Sequence, residues 1–431
     1  MRPLGSGSLV LLDQAIISGA SFATTVIVAR TAGPEELAPY GLVMTLLVLI
    51  GGAHEALISQ PYTVYAHRIH AVARRAYLGS AFASLVGLAG AVALGLLCVG
   101  LALPAGVGPA GLAPLLLALA GAAPCWLLRE FARRTAIAHL DVATALVLDA
   151  SVAVLQFTSL AWLAATGALT GLTAIVSVAA ATALGGLGWL VASRHDLRIR
   201  PRHLARHWRR NWKLGRWILA SRVMAQLNSD GFMTWLLLFL AGPAAAGVLT
   251  ACLTVVFLSN PIVIGFGLFL APRMARTSAS GGITAVRELV WQSTLGLAVV
   301  LALVVGVLAL VAEPVLRLTY GSQFAGSEIT LVTLAIALAV SAVGLGTGSG
   351  LLAIERADLN LAASVCGFVV LMVVAPLLIT RWNVFGAALA LIVGNTVETA
   401  TRLLLFWRQA RTTIAAPGGT PLGARYQEKL S

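Results

Sequence analysis

The chain has 431 residues, of which 59% are hydrophobic and only 10% charged, with a mean hydropathy of +0.92. Soluble domains carry about 25% charged residues, so a water-facing globular enzyme is excluded and lipid is the natural solvent. The formal charge of +13 does not mark a nucleic-acid binder, because the basic residues collect between apolar runs, the pattern of membrane topology.

A helix needs about 20 apolar residues to cross a bilayer, and the apolar runs predict spans over 9–30, 38–60, 77–103, 110–128, 142–166 and 168–193. Asp13 and Gln14 interrupt the first run, so it is not a cleavable signal. A basic segment, 194–216, follows as a cytoplasmic linker resting on anionic headgroups, with Trp208, Trp212 and Trp217 at the interface; substrate docking is its alternative role. Six further spans follow over 217–240, 246–271, 289–312, 329–353, 358–380 and 383–407, and then a cytoplasmic tail, 408–431. Period-two alternation is absent, which excludes a barrel. The expected fold is therefore an all-α integral membrane protein of about 12 transmembrane helices, arranged as two pseudo-symmetric six-helix bundles, 1–193 and 217–407.

Charge counting orients this chain. With the N-terminus in the cytoplasm, 24 of the 29 Lys and Arg residues fall on the cytoplasmic side, among them Arg2, Arg68, Arg129, Arg133, Arg134, Arg425 and Lys429. Only Arg30, Arg317 and Arg381 fall opposite, and Arg222 and Arg402 lie within helices. The asymmetry predicts a multi-pass protein of the inner membrane with both termini cytoplasmic. The halves also echo one another: Ala32-Gly33-Pro34 ends the first span and Ala241-Gly242-Pro243 ends the seventh, 209 positions later. Each triplet precedes a helix that begins near a glycine (Gly41, Gly247) and ends near a proline (Pro61, Pro272). Such a duplication is a common transporter plan.

Polar groups inside spans are functional candidates because each costs several kcal/mol unless it faces a cavity or a partner. They concentrate in the first span, at Asp13 and Gln14, and in the seventh, at Arg222, Gln226, Asn228, Ser229 and Asp230. The i,i+4 recurrence of 222, 226 and 230 predicts one polar helix face toward a watery cavity. Superposing the triplets sets Asp13 opposite Arg222, which predicts that they face one another, either as an anion-binding mouth or as a salt bridge locking the halves. Asp149, Asp230 and Glu398 could take protons or Na⁺ in a coupled cycle, although Glu398 and Arg402 at i,i+4 read first as a satisfied pair. Glu55, beside His54, reads as an interfacial acid.

Other patterns are discounted. The four cysteines lie in apolar runs without CxxC spacing, and His203 and His207 lack an accompanying Glu, so neither set forms a metal site. Gly344-Leu-Gly-Thr-Gly-Ser-Gly350 follows no strand and reads as a tightly packed or flexible helix end rather than a nucleotide loop. No catalytic triad or Walker sequence is present, and no cofactor is called for.

Asp13-Gln14, Ser18, Ser21-Phe22, Ala29-Arg30, Gly33-Pro34-Glu35-Glu36, Tyr40-Gly41 and Ser59-Gln60-Pro61 resemble the polysaccharide exporter and O-antigen flippase branch of the multidrug/oligosaccharidyl-lipid/polysaccharide (MOP) flippase superfamily. The segment Pro314 to Phe324, with Tyr320-Gly321, is similar to that branch's Pro…Tyr-Gly-x-x-Phe motif. The resemblance implies a transporter that flips a polyprenyl-pyrophosphate-linked oligosaccharide for exopolysaccharide or lipopolysaccharide biosynthesis. Its partners would be that lipid-linked substrate, membrane lipids and glycan-assembly proteins, with no nucleic acid. Asp13, Gln14 and Arg222 would line the central cavity and Arg30 its outer mouth. The alternatives are a cation-coupled multidrug exporter of the same superfamily, a membrane-embedded glycan polymerase, and a scaffold for glycan assembly.

Overall fold

A computed structural model describes residues 6–66, 71–103, 112–139, 141–354 and 356–414. Arg2, Arg68, Arg425 and Lys429 lie outside these, as does the tail from 415 onward. Among the described residues every regular element is helical: α1 (Ser6–His54), a π-turn (Glu55–Ser59), α2 (Gln60–Ala66), α3 (Ala71–Ala102), α4 (Leu112–Ala138), α5 (Val142–Ala165), α6 (Gly171–Ser193), α7 (Pro201–Leu227), α8 (Asp230–Ala241), α9 (Pro243–Val256), α10 (Asn260–Tyr320), α11 (Glu328–Ala353) and α12 (Ala357–Ile414), with short 3₁₀ turns before and after α10.

Nine described stretches are long and apolar enough to cross a membrane. Two of them, 12–66 and 358–411, each hold two of the predicted spans, divided where the backbone leaves helical geometry at Gly33 and at Asn383. The remaining predicted span, 217–240, is split between the end of α7 and the short apolar α8. The twelve predicted spans are thereby all placed. Large apolar side chains such as Leu310, 84% exposed, point outward along them, as a lipid solvent requires. This is a multi-pass membrane protein.

The two Ala-Gly-Pro triplets break their helices in the same way. Gly33 adopts φ 84°, ψ 179° and Gly242 adopts φ 91°, ψ 177°. Proline disfavours helical geometry in the residue before it, and only glycine takes a positive φ without steric cost. The segments that follow meet at matching positions. A Cβ on Gly41 would lie 2.5 Å from Thr250 Oγ1, and 41 and 250 are again 209 apart. Contact between equivalent positions is what a two-fold relation between repeats produces. Nearby, Gly247 sits against the Pro34 carbonyl so closely that any side chain would overlap it. Glu36 of the same motif accepts the Gly171 N–H at 2.7 Å and so docks the start of α6.

The chain divides into two compact units, Met1–Ala251 and Cys252–Ser431. In the first, Tyr62, Tyr77, Leu127 and Phe131 form the core beneath α3 and α4. In the second, Val290, Leu351 and Phe406 pack α10, α11 and α12 together. The glycine run of α11 is the tightly packed alternative: a Cβ on Gly346 would come within 2.6 Å of Thr294 Oγ1, and one on Gly350 within 2.7 Å of Val290. The Tyr320-Gly321 motif closes α10. Gly321, at φ 86°, turns the chain, and Phe324 folds back into the core with its ring 5.2 Å from Tyr320.

One predicted boundary moves. The fourth span was expected to end at 128, leaving Arg129, Arg133 and Arg134 in a cytoplasmic loop. Instead α4 continues to Ala138 and carries all three arginines into the first unit. The sequence after 128 has no proline or glycine to stop the helix, and nearby carboxylates compensate the charges.

Candidate functional site

Residues 129, 130, 133 and 134 of α4 are Arg, Glu, Arg and Arg, and that short stretch organises the polar interior of the first unit. Arg133 uses both arms of its fork, donating from Nε to Asp149 at 2.7 Å and from a terminal nitrogen to Asp13 at 2.8 Å. Arg129 donates to the other oxygen of Asp149 and lies 3.4 Å from Glu130. Arg134 donates to Glu130 at 2.7 Å and reaches Glu55 at 3.3 Å. Glu55 in turn accepts from Arg222 at 2.8 Å. Four carboxylates and four guanidiniums thus form one neutral chain of contacts, running from Asp13 on α1 to Arg222 on α7. Asp13, Glu130 and Asp149 are buried. A lone carboxylate at such depth would be costly, and a bidentate guanidinium is the partner best shaped to compensate it. One oxygen of Asp13 remains buried without a hydrogen bond.

The chain of charges opens at its Arg222 end into a cavity of about 300 Å³, lined among others by Gly52, Glu55, Glu130, Arg134, Arg222 and Gln226. The Arg222 side chain is 49% exposed there, while Glu55 is 14% exposed. Below Gln226 the helix stops. Asn228 and Ser229 leave helical geometry, and the Ser229 hydroxyl accepts the Phe232 N–H to start α8, with Asp230 in its first turn. Serine caps and early acids are what a helix N-terminus favours, so Asn-Ser-Asp-Gly is a local instruction to break. Gln226 donates to Ser229 Oγ at 3.0 Å, and Ser229 returns a bond to the Gln226 carbonyl at 2.7 Å, which satisfies part of the freed backbone. Broken backbone inside a span is tolerated where it is buried in protein or lines a cavity, and paired broken helices mark transporter binding sites.

No protein-family model matches the sequence, and no curated protein does. Solved structures do match. A multidrug resistance MATE family transporter of the MOP superfamily, in its inward-facing conformation, superimposes with a TM-score of 0.77 at 14% identity, covering 94% of this chain and 96% of that one. The lipid II flippase MurJ, in an inward closed conformation, gives 0.71 at 13% identity over 92% of this chain and 87% of its own. A MOP superfamily transporter from Pyrococcus furiosus, described as having a binding pocket of reversed polarity, gives 0.64 at 14% identity over 94% of both chains. The chain shares the fold of these solved structures.

Within this fold the expected residues take separate places. Asp13 and Arg222 do not face each other: Asp13 pairs with Arg133, and Arg222 with Glu55. Arg222 and Gln226 line the cavity, Asn228 caps the end of α7, and Asp230 opens α8 without an ion pair among the described residues. The single helical face through 222, 226 and 230 is thus interrupted after 227, because the cap sequence outranks the four-residue period. Gln14 is exposed and donates along its own helix to Ser18 at 3.4 Å, and Arg30 is exposed. Asp149 is held by two arginines. In the second unit Glu398 pairs with Arg402 and accepts from Ser364 at 2.7 Å, the satisfied i,i+4 pair.

Sequence reasoning missed Glu130 and the inward roles of Arg129, Arg133 and Arg134. A signal was present, since Arg-Glu at 129–130 and Arg-Arg at 133–134 repeat at helical spacing directly after an apolar run. Glu55 reads in the sequence as an interfacial acid, yet it joins Arg222, Arg134 and Gln60 Nε2, the last at 3.0 Å.

Proposed function

We propose that this chain is a transporter that flips a polyprenyl-pyrophosphate-linked oligosaccharide across the cytoplasmic membrane by alternating access, serving exopolysaccharide or lipopolysaccharide assembly. The observation that supports this is the half-exposed Arg222, which lines a cavity shortly before the helix break after Leu227 and, among the described residues, pairs with an exchangeable carboxylate, Glu55. An incoming phosphate competes for the Arg222 fork, whose planar donors match phosphate oxygens and stay charged at any working pH. Glu55 then keeps Arg134, so the acid is not stranded when Arg222 turns to the cargo. The sugar head rides in the cavity while the polyprenyl tail stays in lipid, which avoids a cost of several kcal/mol for each polar group stripped of water. The six-span bundles 1–193 and 217–407, joined through 194–216, are the bodies that rock, with both termini in the cytoplasm. Gln14, Arg30, Asn228 and Asp230 complete the path, and glycan-assembly proteins deliver the substrate. A solved structure similar to this chain is that of a lipid II flippase, which supports the lipid-linked reading.

A second reading, a cation-coupled multidrug exporter, draws on Asp13 and Asp149 sharing Arg133, with one Asp13 oxygen unpartnered. In it Asp149, Asp230 and Glu398 handle the coupling ion. The two readings separate in a deletion strain complemented with R222A, R222K or E55Q. Flipping of lipid-linked oligosaccharide should fall at least tenfold in R222A at normal protein level, with inner-leaflet build-up, and R222K should restore part of it. Flipping that survives both changes would remove Arg222 as the ligand. Loss of drug resistance on deletion, with no oligosaccharide build-up, would favour the multidrug exporter.

A further inference from the structure

The first unit holds a second and larger cavity, of about 710 Å³, on the side where the linker 194–200 crosses α3. Its wall includes Tyr62, Arg74, Arg75, His139, Asp196 and Arg198. The surroundings are built rather than incidental. Gly79 of α3 lies against the Arg198 carbonyl so closely that a Cβ there would overlap it, which pins the linker in place. Tyr62 shares a 2.9 Å hydrogen bond with His139 Nε2 and stacks 5.6 Å from Tyr77, whose hydroxyl donates to Asn211 of α7 at 2.6 Å. Behind Tyr77, His207 bonds Ser80 Oγ at 2.8 Å, and burial, with His203, Arg210 and Arg206 nearby, pushes its pKa down.

The acids of this cavity already have partners. Asp196 accepts Arg75 Nε at 3.0 Å. Asp141 caps α5, accepting the Thr144 N–H at 3.1 Å and its hydroxyl at 2.6 Å. Arg74 and Arg198 have no ion pair among the described residues, although both line the space. Two uncommitted guanidiniums beside a tyrosine hydroxyl, in a cavity of ligand-binding size, suit a phosphate group.

We infer that this cavity is an anion site, separate from the transport path, in which Arg74 and Arg198 hold the phosphate group of a ligand. The same chemistry is supplied by an anionic phospholipid headgroup and by a free phosphate compound. The inference does not depend on which cargo the transporter carries.

The test uses the full chain in nanodiscs. In neutral phosphatidylcholine discs, inorganic pyrophosphate is titrated by calorimetry; in discs containing phosphatidylglycerol, native mass spectrometry counts the retained anionic lipid. Wild type is compared with R198Q, R74Q and R74Q/R198Q, and with R209Q, which alters an exposed arginine of α7 outside this cavity. R198Q guards against misfolding because its side chain is exposed. Saturable pyrophosphate binding weakened at least tenfold in the double variant but kept in R209Q assigns a free phosphate ligand. Phosphatidylglycerol retention lost in the same pattern assigns a headgroup. Absence of saturable binding in both arms, or equal binding by wild type and the double variant, overturns the site.

Discussion

Single positions carry much of the repeat's geometry. Gly247 must stay a glycine because the Pro34 carbonyl occupies the place of its side chain. Gly247→Val should destabilise the protein by about 1–3 kcal/mol, the usual cost of overpacking, while Gly19→Val, at a position with open space around it, should be close to neutral. Thermal unfolding in detergent, read as the loss of monodisperse protein, distinguishes the two. A second residue-scale case is Asp141, whose two bonds from Thr144 hold its carboxyl below the ordinary range. An acid with a depressed pKa stabilises the fold fully above its unfolded pKa, near 3.9, and that stability is lost as pH falls through the folded value. Asp141→Ala should therefore lower the unfolding temperature at pH 7 by an amount matching a lost cap of about 1 kcal/mol, and the gap should close in strong acid.

At the scale of elements, the decisive feature is the interruption between α7 and α8. Ser229 is its hinge, since one hydroxyl both accepts from Phe232 and bonds the Gln226 carbonyl. Ser229→Ala should cost about 1 kcal/mol of stability and reduce transport, and Ser229→Asp, which caps as well, should recover the stability. A variant with unchanged transport and unchanged melting would show that the break needs no cap. The ends of the Ala-Gly-Pro segments were legible from their tripeptides alone, because proline and glycine act through their own backbone restrictions. The extension of α4 was not, because whether three arginines end a span or enter the protein depends on acids at 13, 55 and 149 that lie in other elements of the chain.

At the scale of the molecule, the first unit is held by an internal ion network of a kind that costs more when broken than its formation stabilises. Removing one partner leaves a buried charge, so Asp149→Asn should destabilise by about 3–5 kcal/mol. Combining it with Arg129→Gln should restore part of that loss, with a coupling of about 0.5–3 kcal/mol. Unfolding temperatures of the four proteins in one double-mutant cycle decide it. Strict additivity would mean that Arg129 and Asp149 do not depend on each other.

The sequence alone determined the solvent, the number of crossings, the duplication and the pairing of Glu398 with Arg402, because these rest on local hydropathy, local backbone chemistry or neighbours four residues apart. It also placed Arg222 and Gln226 among the polar groups to watch. Only the tertiary structure decided which charges distant in sequence meet. Asp13 and Arg222 are equivalent in the repeat, yet each takes a partner from another helix, 120 and 167 residues away. In a low-dielectric interior a charge is settled by the nearest fork that can reach it, and that distance is set by packing rather than by order along the chain.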